Sequence, residues 1–256
     1  MSQPIFTEIQ DHLIIIRLNR EEKKNALTGD MYDGICDGLD RLEGDPDLRV
    51  AVITGSRDCF TAGNDLADFL ENVSINRKSP IGRFLRTLPG LTKPLVAAVN
   101  GPAVGIGTTM LMHCDLVYAA PEAQFQMPFA SLGLCPEAGS SLLVPQLLGY
   151  RKAAELLMLC EVFDANAAQA MGIVNQVVDK EHFQEHAIAK AQQLAAQPPA
   201  SIRTTRKLLR AANAEQLETI MRMEEDYFMQ MLQGAEAKEA FTAFLEKRKP
   251  DFSKFF

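Results

Sequence analysis

The chain has 256 residues, 47% of them hydrophobic and 23% charged, the composition of an ordinary soluble globular protein. That length allows one large α/β domain, or one domain with a helical appendage. A net charge of -7 argues against nucleic acid as a main partner, because phosphate binding wants a basic face.

In chain order, short apolar runs alternate with helical segments through the first half. Leu13 to Leu18 (LIIIRL), Val50 to Thr54 (VAVIT), Leu95 to Val99 (LVAAV) and Leu116 to Ala119 (LVYA) read as buried strands. They are short, rich in β-branched residues, and several are bounded by Gly, Pro or Asn. Between the first two, the pattern predicts a helix from about Thr28 to Leu42, capped by Thr28 and stopped by Gly44-Asp45-Pro46. The second half is almost all helix. The predicted segments are Tyr150 to Cys160, Asn166 to Met171, His182 to Ala196, Pro199 to Ala212, Glu215 to Leu232 and Ala235 to Lys249. The plain reading is an α/β core over residues 1–195 and a C-terminal helical region over 196–256. Met221, Met223, Phe228, Met231, Leu232, Phe241, Phe244 and Leu245 give that region many apolar side chains, which suit either an internal core or a subunit interface.

Arg203, Arg206, Lys207 and Arg210 fall at i, i+3, i+4 and i+7 of a predicted helix. A solvated face is the favoured reading; a contact for an anionic cofactor tail is the sharper one. Cysteines stand at 36, 59, 114, 135 and 160, with no CxxC spacing, so reduced thiols in a cytoplasmic protein are expected. Cys135 reads as packing. Met1-Ser2-Gln3-Pro4 lacks the apolar stretch of a signal peptide, and Ser253-Lys254-Phe255-Phe256 is not a peroxisomal address. No apolar run approaches the length of a membrane span. His12, His113, His182 and His186 show no metal-ligand pattern, and the last two are assigned to the surface.

Two glycine-rich turns and one acid carry the chemistry. The first turn runs from Cys59 to Leu66 (CFTAGNDL), soon after the second apolar run. Small residues there let a backbone approach a ligand. The second runs from Asn100 to Thr108 (NGPAVGIGT) and leads into an apolar helix through Thr109, Met110, Leu111 and Met112. A Gly-rich turn opening a helix aims free N–H groups and the positive end of a dipole at what binds there. It is not a dinucleotide fingerprint, because Met110 stands where the third glycine belongs. The acid is Glu137, in the apolar stretch Leu132 to Gly139 (LGLCPEAG) just before a helix. A carboxylate there is costly unless used or paired. One base beside one oxyanion pocket suffices to move a proton next to a carbonyl. A plain N-terminal carboxylate near Gly139-Ser140-Ser141 is the structural alternative.

The chain resembles the crotonase, or enoyl-CoA hydratase/isomerase, superfamily from about Phe6 to Phe252. The resemblance rests on Leu18-Asn19-Arg20 with Asn25-Ala26-Leu27, on Ala62 to Leu66, and on Lys93 to Gly101. It continues in Cys114-Asp115, Ala170-x-Gly172-Ile173-Val174 and Phe244 to Arg248. It implies a spiral of ββα turns with a C-terminal helical trimerisation region, assembled as a homotrimer or hexamer. It implies an acyl-CoA thioester substrate, with coenzyme A as part of that substrate and no permanently bound cofactor or metal. Ala62, Gly63, Asn64, Asp65, Leu66 and Ile106 become the oxyanion and substrate-binding candidates, with the backbone N–H groups of Asn64 and Ile106 as the donors. Lys24, Ala26, Phe228 and Lys247 become candidates for holding CoA, the last two near its adenine and phosphates.

Where hydratases of the family carry two glutamates, this chain has Thr109 and Phe129. Neither can do an acid's work at neutral pH. Glu137 instead matches the single base of Δ3,Δ2-enoyl-CoA isomerases, closest to the peroxisomal type and its bacterial relatives. The expected activity is conversion of 3-enoyl-CoA to 2-trans-enoyl-CoA in fatty acid β-oxidation. A hydratase or other acyl-CoA enzyme of the family is the first alternative, and a non-catalytic acyl-CoA-binding protein the second.

Overall fold

The apolar runs read as strands lie side by side at the centre of a sheet. The structure, a computed structural model, describes residues 3–56, 58–71 and 79–255. Met1, Ser2 and Phe256, quoted above for the termini, lie outside the described residues. The chain opens with β1 (Ile5–Gln10), β2 (Leu13–Leu18), α1 (Gly29–Gly44), β3 (Val50–Thr54), α2 (Leu66–Glu71) and α3 (Pro80–Gly90). Next come β4 (Leu95–Val99), β5 (Pro102–Val104), α4 (Ile106–Thr109), β6 (Leu116–Ala119), β7 (Gln124–Gln126), α5 (Ser140–Leu148) and α6 (Tyr150–Met158). Then follow β8 (Phe163–Asp164), α7 (Ala165–Ala170), β9 (Gln176–Val177), α8 (Phe183–Ala195), α9 (Pro199–Ala211), α10 (Ala214–Leu232) and α11 (Ala235–Leu245).

The main sheet has the order β1-β2-β3-β4-β6-β9. Within this sheet, among the described residues, only the β1–β2 pair is antiparallel. Parallel strands are covered on both faces, so their sequences need not alternate. Leu13, Ile15, Val50, Val52, Val96 and Ala98 face α8, which presents Phe183, Ala187, Ala191 and Ala195. The alanines recur every fourth residue, so one flat stripe lies on the sheet. The opposite face, with Ile14, Ile16, Ala51, Ile53 and Ala97, joins the larger core with Met31, Ile35 and Leu39 of α1.

A second, smaller layer runs β5-β7-β8. Single-residue bridges Leu27↔Asn64 and Thr61↔Ala103 extend it back toward the N-terminus. The chain therefore climbs in repeated turns: a strand of the main sheet, a crossing to the second layer, then a helix. This is the expected ββα spiral, and it stacks the two glycine-rich turns against each other. The small-layer strands and β9 span two or three residues each, too short for a periodicity to register. β1 also escapes a reading of periodicity, because it is an edge strand with most positions exposed.

The C-terminal apolar residues are only partly internal. Phe228, Leu232 and Phe241 enter the main core, while Met223, Tyr227, Phe244 and Leu245 are exposed. The basic face of α9 is not solvated throughout. Arg206 is buried and donates from Nε to both oxygens of Asp115, at 3.0 and 2.8 Å, and Arg210 Nη2 donates to the carbonyl of His113 at 2.5 Å. Asp115 also accepts from Leu95 N at 2.9 Å, so a part-buried carboxylate draws the two cations inward. Arg203 and Lys207 stay exposed. His186 is likewise not a plain surface residue, since its ring meets Tyr118 edge-on at 4.9 Å. Cysteines 36, 59, 114, 135 and 160 are all free thiols. Among the described residues no helix is long and apolar enough to cross a membrane.

The flat stripe of α8 makes a packing prediction. Ala191 is fully buried against the sheet, so Ala191→Leu should destabilise the fold by ~1–3 kcal/mol through overpacking. The urea midpoint should fall with the slope unchanged; an unchanged midpoint would mean the interface has room to spare.

Candidate active site

The two glycine-rich turns are bonded directly. Thr61 N donates to Pro102 O at 2.9 Å, and Val104 N returns to Thr61 O at 3.1 Å. Gly63 has φ +90°, and a Cβ there would lie 2.8 Å from the carbonyl oxygen of Val104. A side chain at 63 would push the turns apart. The segment before α1 closes the other side. Ala62 N donates to Lys24 O at 2.9 Å, Leu27 N to Gly63 O at 2.8 Å, and Asp65 N to Leu27 O at 2.9 Å. Lys24 and Ala26 are thus brought beside Ala62–Asp65, and Asp65 is held by Arg20 at 2.7 Å.

This pairing uses the carbonyl of Gly63 and the N–H of Asp65, so the N–H of Asn64 points to the other side. Among the described residues it has no protein acceptor. The N–H of Ile106 has none either, because Ile106 is the first residue of α4 and its amide precedes the helical ladder. Tyr32 of α1, itself buried, donates its hydroxyl to Asn64 Oδ1 at 2.5 Å and fixes that side chain. Leu66 begins α2.

Glu137 lies in the loop before α5 and is 9% exposed. Its Oε1 accepts a hydrogen bond from the Thr109 hydroxyl, while its buried Oε2 has no partner among the described residues. Burial pushes the carboxyl from its ordinary 4.5 up to about 8; the Thr109 bond opposes the rise and nearby Glu224 adds to it. The next two residues, Ala138 and Gly139, have φ +56° and +73°. A non-glycine residue in the left-handed region must be held there by its surroundings. His113 Nε2 donates to Ala138 O at 2.7 Å, and burial depresses the imidazole to about 4, so it stays neutral.

Asn64 and Glu137 open onto one cavity of about 600 Å³, walled by Leu85, Met112, Leu143, Leu217, Met221 and Phe228. Phe228, a candidate for holding the adenine of CoA, lies in this wall. Lys247 is exposed just past α11 and does not line the cavity. Ile106 does not line it either, but it begins the short helix that ends at Thr109. Phe129 is buried. Cys135 is packing, as expected: its thiol donates to Glu224 O at 3.6 Å, and burial pushes it up to about 11. Among the described residues no cluster of His, Cys, Asp or Glu could hold a metal ion. The arrangement offers one acid with a free oxygen, two unspent amide donors and an apolar chamber.

Sequence reasoning misses Thr109, Tyr32, His113 and Glu224 as parts of this site. In the sequence Thr109 registers only as a missing acid, whereas its hydroxyl holds the acid that is present. Partners lying 25 to 85 positions apart leave no local signal.

The sequence profile of the family described as Enoyl-CoA hydratase/isomerase matches residues 8–254. The 1,2-epoxyphenylacetyl-CoA isomerase of Escherichia coli (strain K12) is 33% identical over 99% of either chain. Enoyl-CoA delta isomerase 2 of Rattus norvegicus is 36% identical over 86% of this chain and 57% of its own length. Relatives named as hydratases match over similar lengths of this chain. The crystal structure of an enoyl-CoA hydratase/isomerase from Pseudoalteromonas atlantica T6c superposes with a TM-score of 0.94 at 38% identity, covering 98% of this chain and 100% of that one.

The buried carboxyl makes stability depend on pH. A carboxyl at about 8 in the fold and near 4.5 when unfolded contributes stability that is complete below about pH 4.5 and lost as pH rises through about 8. Glu137→Gln removes this titration and leaves the others in place. The variant's stability relative to the parent should therefore grow by ~2–4 kcal/mol between pH 5 and pH 9, in paired urea titrations. A constant difference across that range would show that Glu137 is already ionised at pH 5.

Proposed function

Because this chain belongs to the enoyl-CoA hydratase/isomerase family, we propose that it is a Δ3,Δ2-enoyl-CoA isomerase with Glu137 as its single proton shuttle. The observation that carries the reading is Glu137 itself, buried in an apolar chamber with one oxygen held by Thr109 and the other free. In this mechanism the thioester oxygen accepts from the N–H groups of Asn64 and Ile106. Ionised Glu137 takes a proton from C2 of 3-enoyl-CoA. The electron pair spreads over a dienolate whose charge sits largely on the thioester oxygen. The same carboxyl returns the proton at C4, giving 2-trans-enoyl-CoA and the starting carboxylate. Nothing is added or lost, so one acid suffices. An apolar chamber disfavours protonation of the dienolate by water.

Hydration asks for more: water must be activated and a proton delivered. Thr109 and buried Phe129 occupy the positions where the family's hydratases carry acids. The cavity's other buried carboxyl, Glu224, has both oxygens engaged by Gly139 and Ser141. In this reading CoA enters and leaves as part of the substrate, with Lys24 and Ala26 beside it and Lys247 toward its phosphates. Assembly as a trimer or dimer of trimers would cover apolar surface such as Leu208 and Leu209, which are 69% and 78% exposed.

The deciding assay incubates the enzyme with 3-enoyl-CoA and, separately, with crotonyl-CoA. The first should be converted to the 2-trans isomer and the second should be hydrated slowly or not at all; comparable rates would overturn the reading. Glu137→Gln should lower isomerisation by ~10²–10⁴. For the parent enzyme, kcat/KM should rise with pH and level off above about 8, as Glu137 ionises.

A pair of substitutions tests the amide donor. Asn64→Ala gives up the Tyr32 contact but keeps the N–H, and should retain most activity. Asn64→Pro has no N–H and should lose ~10²-fold or more. Equal rates for the two, with both folded, would exclude Asn64 as a donor.

A further inference from the structure

The loop that carries Glu137 is held from an unexpected direction. Glu224 of α10 lies 85 positions beyond Gly139 along the chain and is 6% exposed. Its Oε2 accepts from Gly139 N at 2.6 Å. Its Oε1 accepts from Ser141 N at 2.9 Å and from the Ser141 hydroxyl at 2.6 Å. Gly139, the residue before α5, has no side chain to cap that helix, so α10 supplies the cap. Burying a carboxylate is costly, and here its oxygens are spent on the backbone and side chain at the start of α5. A side chain at 139 would have to sit at φ +73° and push the Leu217 side chain of α10 aside.

The turn over Ala138 and Gly139 sets the direction in which Glu137 leaves the backbone. His113 holds the carbonyl side of that turn, and Glu224 holds the amide side. Both also line the cavity. The helix that brings Glu224 contributes Leu217, Met221 and Phe228 to the same wall. One element thus shapes the acyl chamber and grips the loop of the base.

We propose that Glu224 is a positioning residue for the isomerisation, anchoring the left-handed turn that aims the free oxygen of Glu137 into the cavity. The inference rests on the reading of Glu137 as the proton shuttle. Glu224 itself touches no reacting atom, because its oxygens are taken by the loop. Its loss displaces the base while leaving the oxyanion donors and the CoA contacts in place, so it acts on kcat rather than on KM.

The test compares Glu224→Gln, Ser141→Ala and Glu137→Gln with the parent on 3-enoyl-CoA. The amide nitrogen introduced by Glu224→Gln would face one of the N–H donors that the carboxylate now accepts from. Glu224→Gln should lower kcat by ~10- to 100-fold with KM within about twofold, the effect expected when a base is misplaced by about an ångström. Ser141→Ala keeps the carboxylate and a good helix former and removes one contact, so kcat should fall several-fold. A Glu224→Gln enzyme with parental kcat, or one whose loss lies in KM, overturns the proposal. If that variant does not fold, Ser141→Ala decides, and a parental kcat there overturns it equally. Glu137→Gln separates the two claims. If it retains the parental rate, the assignment of the base is wrong. If it is inactive while Glu224→Gln is fully active, only the positioning role falls.

Discussion

A carboxyl group shut away from water with one oxygen unpartnered is the constraint on which this structure turns. Water would solvate such a group by several kcal/mol, and burial denies it much of that solvation. Thr109 serves one oxygen of Glu137, and among the described residues nothing serves the other. The result is an acid held above its ordinary range, ready to exchange a proton near neutral pH. Keeping it there requires a rigid loop, and the loop runs through two successive left-handed residues. That strain persists because His113 and Glu224 fix the turn from opposite sides.

The second layer of strands has a comparable role for the amides. Its bridges are only one to three residues long, yet they link residue 27 to 64, 61 to 103, and 103 to 125. Each link is a backbone contact, so the register of one turn determines the next. Gly63 is required where the first turn meets Val104. The amide of Asn64 faces outward because its neighbours' groups are already paired, and the amide of Ile106 because it starts a helix. The two free amides are thus by-products of chain topology, whereas Glu137 depends on the side chains around it.

Much of this was legible in the sequence, for physical reasons that differ from part to part. β2, β3, β4 and β6 were visible because strands buried on both faces are continuous apolar runs. Glu137 was visible because an acid in a Gly/Pro-bounded apolar loop is conspicuous, and the turns because glycines cluster where backbone must come close. β1 and the short strands were not visible, being exposed or only two or three residues long. Arg206 read as solvent-facing because its spacing on α9 is that of a polar stripe, and only the fold brings Asp115 beneath it. Tyr32, Thr109, His113 and Glu224 share one cause. Each acts on a residue that is remote in sequence, and neither composition nor period encodes such a pairing.

Glu224 also fixes an order of events. The acid at position 137 and the turns at 64 and 106 are synthesised well before residue 224, and β2, β3 and β4 could pack together before α10 exists. Until α10 docks, Gly139 and Ser141 lack their anchor, Leu217 is absent from the wall, and the chamber stands open to water. A chain emerging from the ribosome would therefore display its reactive carboxyl as an ordinary solvated glutamate. On the reading of Glu137 as the proton shuttle, activity would switch on late, with the docking of one helix.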